Sequence, residues 1–229
     1  TVFLTTHEVT HSYFPFLVGT NERRYAWVDE GLVTYLPKWI ELQIEPSYDR
    51  MPSVIASMSK ISGYFYDAPL LMSSNQLEGG IYRYHAYTKP AVAFHTLEQY
   101  LGEDLFEKCL RDFIHHWKFK HPVPYDMFHT FNRVAEEDLS WFWTPWFIEN
   151  DFADLGIADV KSKKNKIEIE IVNVGGLPLP VKLIVIYENG ETEEIFRKAD
   201  IWKKAGDEIV VETQKKLKIR KIELGDRMI

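Results

Sequence analysis

A single cysteine, Cys109, in 229 residues excludes an internal disulfide, so the fold rests on buried apolar side chains and cysteine usage says nothing about redox compartment. Cys109 sits at helical spacing among apolar residues and is expected to fill a helix face. No apolar run reaches the length of a membrane span. The opening Thr-Val-Phe-Leu-Thr-Thr has neither the charged segment nor the cleavage site of a leader, so no membrane span is expected in these residues. Basic charge is scarce beside acidic charge: 27 Lys and Arg stand against 34 Asp and Glu, a net charge of -7. Nucleic acid is therefore an unfavourable partner. Nothing in the composition assigns a compartment.

Aromatic residues, by contrast, are abundant: 14% of the chain, with seven Trp, inside an ordinary 45% hydrophobic content. A chain of this length can bury a sizeable core, as one large domain or two smaller ones. Charge divides it unevenly. Residues 1–155 hold 12 Lys and Arg against 21 Asp and Glu, whereas residues 156–229 hold 15 against 13. The hydrophobic period changes at the same place. Leu105, Phe106, Cys109, Leu110, Phe113, Ile114 and Trp117 recur at helical spacing after Gly102-Glu103-Asp104. Helices are predicted around residues 7–11, from about Trp27 with a kink at Pro37, after Pro90, after Asp104, from near Pro124 to Glu137, and in the short stretch holding Trp141, Trp143 and Trp146.

After Gly156 the pattern alternates. Ile167, Ile169 and Ile171 interleave with Lys166, Glu168 and Glu170, and further strands are predicted over 181–187, 191–196, 209–211 and 217–224. Asn189-Gly190 is a two-residue hairpin signal, and Gly175 to Pro180 reads as a connection. The expected class is α+β, with a mainly helical part over 1–155 followed by a small β-sandwich over 156–229.

The chemistry concentrates near the start, in His7-Glu8-Val9-Thr10-His11 and, after eighteen residues, Glu30 within Trp27-Val28-Asp29-Glu30-Gly31. Residues four apart lie one above the other on a helix, so His7 and His11 can reach a single ion. Glu8, beside the first imidazole, can take a proton from an activated water without itself occupying a coordination position. A catalytic zinc takes three protein ligands and leaves a fourth position open, and Glu30 on a second helix is the candidate third donor.

The HEVTH motif, its eighteen-residue spacer and WVDEG resemble the zinc signature of the gluzincin aminopeptidases, the aminopeptidase N family, in which the third ligand lies in a Trp-x-x-Glu-Gly context. A second match lies downstream. Ala86-Tyr87-Thr88-Lys89-Pro90-Ala91, leading to Leu97 and Leu101-Gly102, resembles that family's Tyr-x-Lys-Gly-Ala segment, although Pro90 stands where glycine is common and could simply start the next helix.

The resemblance implies that 1–155 is part of a thermolysin-like zinc peptidase catalytic domain and 156–229 the β-sandwich that follows it. It further implies zinc held by His7, His11 and Glu30, Glu8 as general base, and Tyr87 as the group stabilising the tetrahedral intermediate. The implied activity is removal of N-terminal residues from a peptide substrate. Family members carry upstream a β-rich domain and a Gly-x-Met-Glu-Asn segment that holds the substrate amine. Neither occurs in these residues, so the chain is expected to be the C-terminal part of a longer enzyme and to be weak or inactive alone. Two other readings stay open: a zinc endopeptidase, and a non-catalytic zinc-containing binding module.

Several further polar residues have two readings each. Thr34 and Asp29 are candidates for supporting Glu30, or for local helix hydrogen bonds. His85 is placed to line the cleft. Asn21, Glu22, Arg23 and Arg24 are placed at its entrance or in a solvated loop. His115, His116, His121 and His129 lack a matched third ligand and are expected to be solvated or packed.

Overall fold

The computed structural model describes residues 2–64, 67–163, 166–204, 206–214 and 217–225. The chain divides into two compact units, Thr1–Asn150 and Asp151–Ile229. The first is helical and the second is built from two small antiparallel sheets, so the class is α+β. Among the described residues no helix is long and apolar enough to cross a membrane.

In the helical unit α1 spans Val2–Thr10 and runs into a wide π-type turn over Ser12–Leu17, after which α2 spans Ala26–Tyr35. Pro37 does more than kink the following helix. It has no N–H to continue the ladder, so α2 stops at Tyr35 and a separate α3 spans Lys38–Ile44. Next come α4 (Met51–Ser59), α5 (Gly79–Arg83), a second π-type turn over Tyr84–Thr88, and α6 (Lys89–Leu101). Pro90 is the second residue of α6, which directly follows that turn. Gly102, at φ 84, separates α6 from α7 (Glu103–Trp117), and α8 (Pro124–Ala135) and α9 (Ser140–Trp143) complete the unit.

Cys109 is buried on α7 as expected, and burial pushes its thiol up to about 11. The tryptophan-rich composition finds its use in the core. Trp27 is fully buried, with its ring stacked on Phe128 at 6.1 Å and tilted against Phe147 at 4.6 Å. Trp143 also stacks on Phe128, at 4.7 Å. These rings anchor the start of α2, three residues before Glu30.

The second unit contains β1 (Leu155–Ser162), β2 (Ile167–Asn173), β3 (Val181–Tyr187), β4 (Thr192–Arg197), β5 (Glu208–Glu212) and β6 (Ile219–Leu224). Their orders are β1-β2-β5 and β4-β3-β6. Strict alternation along β2 and β3 sends Ile169, Ile171, Val181, Leu183, Val185 and Tyr187 into one core shared with Ile209, Val211 and Trp202, which is the arrangement of a small sandwich. Asn189-Gly190 turns β3 into β4, with Gly190 at φ 87.

The change of period at Gly156 lies later than the division at Asn150/Asp151. The reason is a backbone contact with no alternating pattern. Phe152 N–H donates to Gly175 O at 2.8 Å and pairs in parallel with Gly176. A Cβ on Gly175 would stand 2.1 Å from Phe152 O, so only glycine admits this approach.

Candidate metal centre

His7 lies in the last turn of α1 and His11 directly follows its last residue, their rings edge to face at 5.0 Å. Glu30 on α2 brings its Oε2 to 3.3 Å from His7 Nε2 and 3.5 Å from His11 Nε2. One ligand atom from each of the three residues lies within 4.8 Å of the others, and among the described residues this is the one such group of His, Cys, Asp and Glu.

The donor chemistry can be read atom by atom. Phe14 O lies 2.8 Å from His11 Nδ1, and a carbonyl cannot donate, so Nδ1 carries the proton and Nε2 of the neutral ring is a bare lone pair. Glu30 Oε1 accepts the Tyr87 hydroxyl at 2.7 Å, while Oε2 is buried without a hydrogen-bond partner. A neutral His11 thus offers a lone pair beside a buried carboxylate oxygen, with His7 Nε2 on the same oxygen at 3.3 Å, and a cation fits that arrangement.

Burial alone would raise the Glu30 carboxyl. The contact with His7, the Tyr87 hydrogen bond and the nearness of the two imidazoles outweigh it and hold Glu30 below its usual range. Burial and the neighbouring Glu30 carboxylate push the Tyr87 phenol up, so it stays protonated and able to donate. Asp29 is 1% exposed, and burial together with the Glu30 charge pushes it up to about 7.

Two brackets hold α1 and α2 in place. Arg50 donates through Nε to Glu41 Oε2 at 2.8 Å and through Nη2 to Thr34 O at 2.7 Å, and its guanidinium lies 3.7 Å from the centre of the Phe3 ring. Thr6, next to His7, donates to Glu41 Oε1 at 2.9 Å, and Phe3 meets the His7 ring edge-on at 5.4 Å. One buried carboxylate therefore ties α1, α3 and the end of α2 together. The second bracket is close packing: Gly31 faces Pro90, and a Cβ added there would stand 2.7 Å from Pro90 Cβ and 2.8 Å from Cγ. The proline ring cannot fold away. Gly31→Ala is expected to cost about 1–3 kcal/mol in urea unfolding. An unchanged midpoint would show that α2 and α6 separate freely.

The other polar residues divide clearly. Glu8 is exposed on α1. Thr34 is buried and its hydroxyl has no hydrogen-bond partner, so it does not bond its own helix backbone. His85 departs from its expected place at the cleft: it is buried, its Nε2 lies 2.8 Å from Pro69 O, and burial first and Lys89 next hold it below its ordinary value. His115, His116, His121 and His129 are exposed and belong to no three-residue ligand group.

Glu22 and Arg23 line an open cleft of about 430 Å³ together with Asp29, Glu30, Asn75 and Tyr82. Tyr82 escaped sequence reasoning, as did the Glu41–Arg50 bracket. Tyr82 left a signal in its five-residue separation from Tyr87, whose ring it meets edge-on at 6.4 Å. Glu41 and Arg50 left none.

Two imidazoles one helical turn apart and a carboxylate from a second helix, with a phenol donating to that carboxylate, form a group that could hold a metal ion. Residues 1–146 match the Peptidase family M1 domain, and the chain belongs to that family. Aminopeptidase N of Plutella xylostella is 24% identical over 161 residues, which are 67% of this chain and 17% of that protein. Aminopeptidase M1-D of Oryza sativa subsp. japonica is 22% identical over 169 residues, 72% of this chain and 19% of that protein. In the curated relatives it matches, the chain thus spans under a fifth of their length. The structure of Legionella pneumophila aminopeptidase A in complex with aspartic acid shares the fold at a TM-score of 0.66 and 15% identity, covering 97% of this chain and 25% of that one.

Proposed function

We propose that this chain carries the zinc centre of an aminopeptidase, with His7, His11 and Glu30 as ligands. The observation that supports it most is the buried Glu30 Oε2, which has no hydrogen-bond partner and faces the Nε2 atoms of His7 and His11 at 3.3 and 3.5 Å. Two imidazoles and a carboxylate with one position left open form a set typical of hydrolytic zinc. When bound, zinc supplies Lewis acidity and brings the pKa of water towards roughly 7.

The rest of the reaction falls to the chain's own groups. Glu8 is adjacent to His7 and exposed, so its carboxylate is free to accept a proton from the attacking water and pass it to the leaving amine. Tyr87 has one O–H, which rests on Glu30 and would turn from it to donate to the oxyanion that develops on the peptide carbonyl. Lining by Glu22, Asp29 and Glu30 gives the cleft an acidic side suited to a substrate's free amine. No Gly-x-Met-Glu-Asn segment occurs in these 229 residues. Without that amine anchor, turnover by this stretch alone is expected to be low, and variants are compared as ratios to the parent.

Tyr87→Phe tests this reading on aminoacyl chromogens with free and acetylated amines. Zinc content and KM are expected to hold while kcat falls on the order of 10²–10³-fold. A rise in KM alone would give Tyr87 a binding role. Equal cleavage of the two substrates would make the enzyme an endopeptidase.

A further inference from the structure

The turn that carries Tyr87 is fastened from behind by groups that do not face the metal centre. Tyr84, His85 and Lys89 belong to one continuous helical stretch, the π-type turn Tyr84–Thr88 and the first residue of α6, and all three reach the loop Asp67-Ala68-Pro69. Tyr84 donates its hydroxyl to Asp67 Oδ2 at 3.3 Å. The neutral His85 ring donates from Nε2 to Pro69 O at 2.8 Å. Lys89 donates from Nζ to Asp67 Oδ1 at 2.7 Å and to Ala68 O at 3.4 Å. Tyr87, within the same turn, sends its hydroxyl to Glu30 instead.

What needs explaining is the charge. The Lys89 side chain is 0% exposed and that of Asp67 3% exposed, so the pair is removed from water almost completely. Well-packed apolar side chains of similar volume commonly stabilise such a site as well or better. An apolar chain, however, tolerates sliding and rotation, whereas an ammonium buried against a carboxylate is held to the few positions that keep that contact. A π-type turn places one residue more than the helix repeat requires, and so the direction of Tyr87 depends on where the turn is pinned.

We propose that the buried Lys89–Asp67 pair is a positioning device for Tyr87, fixing the rotation of the 84–89 turn so that the phenol is presented beside Glu30. This deepens the reading of Tyr87 given under Proposed function and rests on it for its catalytic consequence. Lys89 and Asp67 act only through the turn and touch no reacting atom. They act on Tyr87, whereas the Glu41 bracket acts on α1 and α2.

The test removes both charges while keeping an acceptor for Tyr84, using Lys89→Met/Asp67→Asn in the whole chain. Lys89→Gln/Asp67→Asn, which keeps a neutral donor facing a neutral acceptor, is the gentler companion should the first double variant not fold. The first readout needs no turnover. In protein labelled with 3-fluorotyrosine, the ¹⁹F resonance absent from Tyr87→Phe identifies Tyr87, and circular dichroism verifies folding. That resonance is expected to shift and broaden in the folded variants; a sharp, unshifted line would overturn the proposal.

The second readout is a cycle with Tyr87→Phe. The charge-removing substitutions are expected to lower kcat by up to about 10²-fold with KM little changed, as for a misplaced group, and to have no further effect once Tyr87 is Phe. Additive losses in the cycle would reassign the pair to general stability. Should Tyr87→Phe itself leave kcat unchanged while the fluorine signal moves, the role of Tyr87 fails and the positioning device stands.

Discussion

Glu8→Gln is expected to retain zinc at the parent's level while hydrolysis falls on the order of 10²–10⁴-fold, the usual worth of a general acid–base group. The amide is nearly isosteric, and Glu8 is exposed on α1 outside the His7, His11 and Glu30 group, so ligand geometry and folding are left alone. What disappears is the ability to take a proton from water and deliver it to the departing nitrogen. Metal analysis and turnover must be read together. Zinc retained with turnover unchanged would remove Glu8 from the mechanism. Zinc lost along with turnover would mean that Glu8 supports the ligands rather than the chemistry.

His7→Ala tests the centre itself and should have the larger effect on metal. His7 is 5% exposed, and its Nε2 is the ligand atom nearer to Glu30 Oε2, at 3.3 Å. Removing it leaves one imidazole and one carboxylate, too few for tight zinc. Zinc content of the purified chain is expected to fall from one equivalent to near zero. A ligand that binds only the folded state stabilises by RT ln(1 + [L]/Kd), about 2.7 kcal/mol at a hundredfold excess over Kd, so added zinc should raise the parent's melting temperature and not the variant's. The comparison within each protein, with and without zinc, separates lost metal from the cavity that alanine leaves in the packing. Stoichiometric zinc in the variant would place the ion elsewhere, and the aminopeptidase reading would lose its foundation.

The two predictions draw on different kinds of information. The pairing of His7 with His11 and the adjacency of Glu8 follow from helix repeat alone, which is why they are visible in five consecutive residues. Glu30 needed an eighteen-residue excursion to return against α1, and its context Trp27-x-x-Glu30-Gly31 hints at why it does. Trp27 is gripped by Phe128 and Phe147, and Gly31 allows α6 to approach through Pro90. Elsewhere local signals misled. Pro37 divides two helices where a kink was expected, and β1 went unnamed because it is a mostly exposed edge with a bulge between Ile157 and Asp159. The helix Met51–Ser59, absent from the predicted set, does carry a local signal, because Met51, Val54, Ile55 and Met58 recur at i, i+3, i+4 and i+7. The loop Asp67-Ala68-Pro69 carries no pattern at all, yet it receives Tyr84, His85 and Lys89.

By itself the sequence determined the kinds of donor, the one-turn spacing of the two imidazoles, the alternation that builds the sandwich and the turn at Asn189-Gly190, because each depends on neighbours along the chain. Only the tertiary structure decided that Glu30 stands 3.3 and 3.5 Å from those imidazoles, that Tyr87 donates to it, and that Lys89 finds Asp67. These contacts join residues far apart in sequence. Their geometry is set by how aromatic and glycine-mediated packing closes the intervening loops, a property of the whole core that no local window of residues contains.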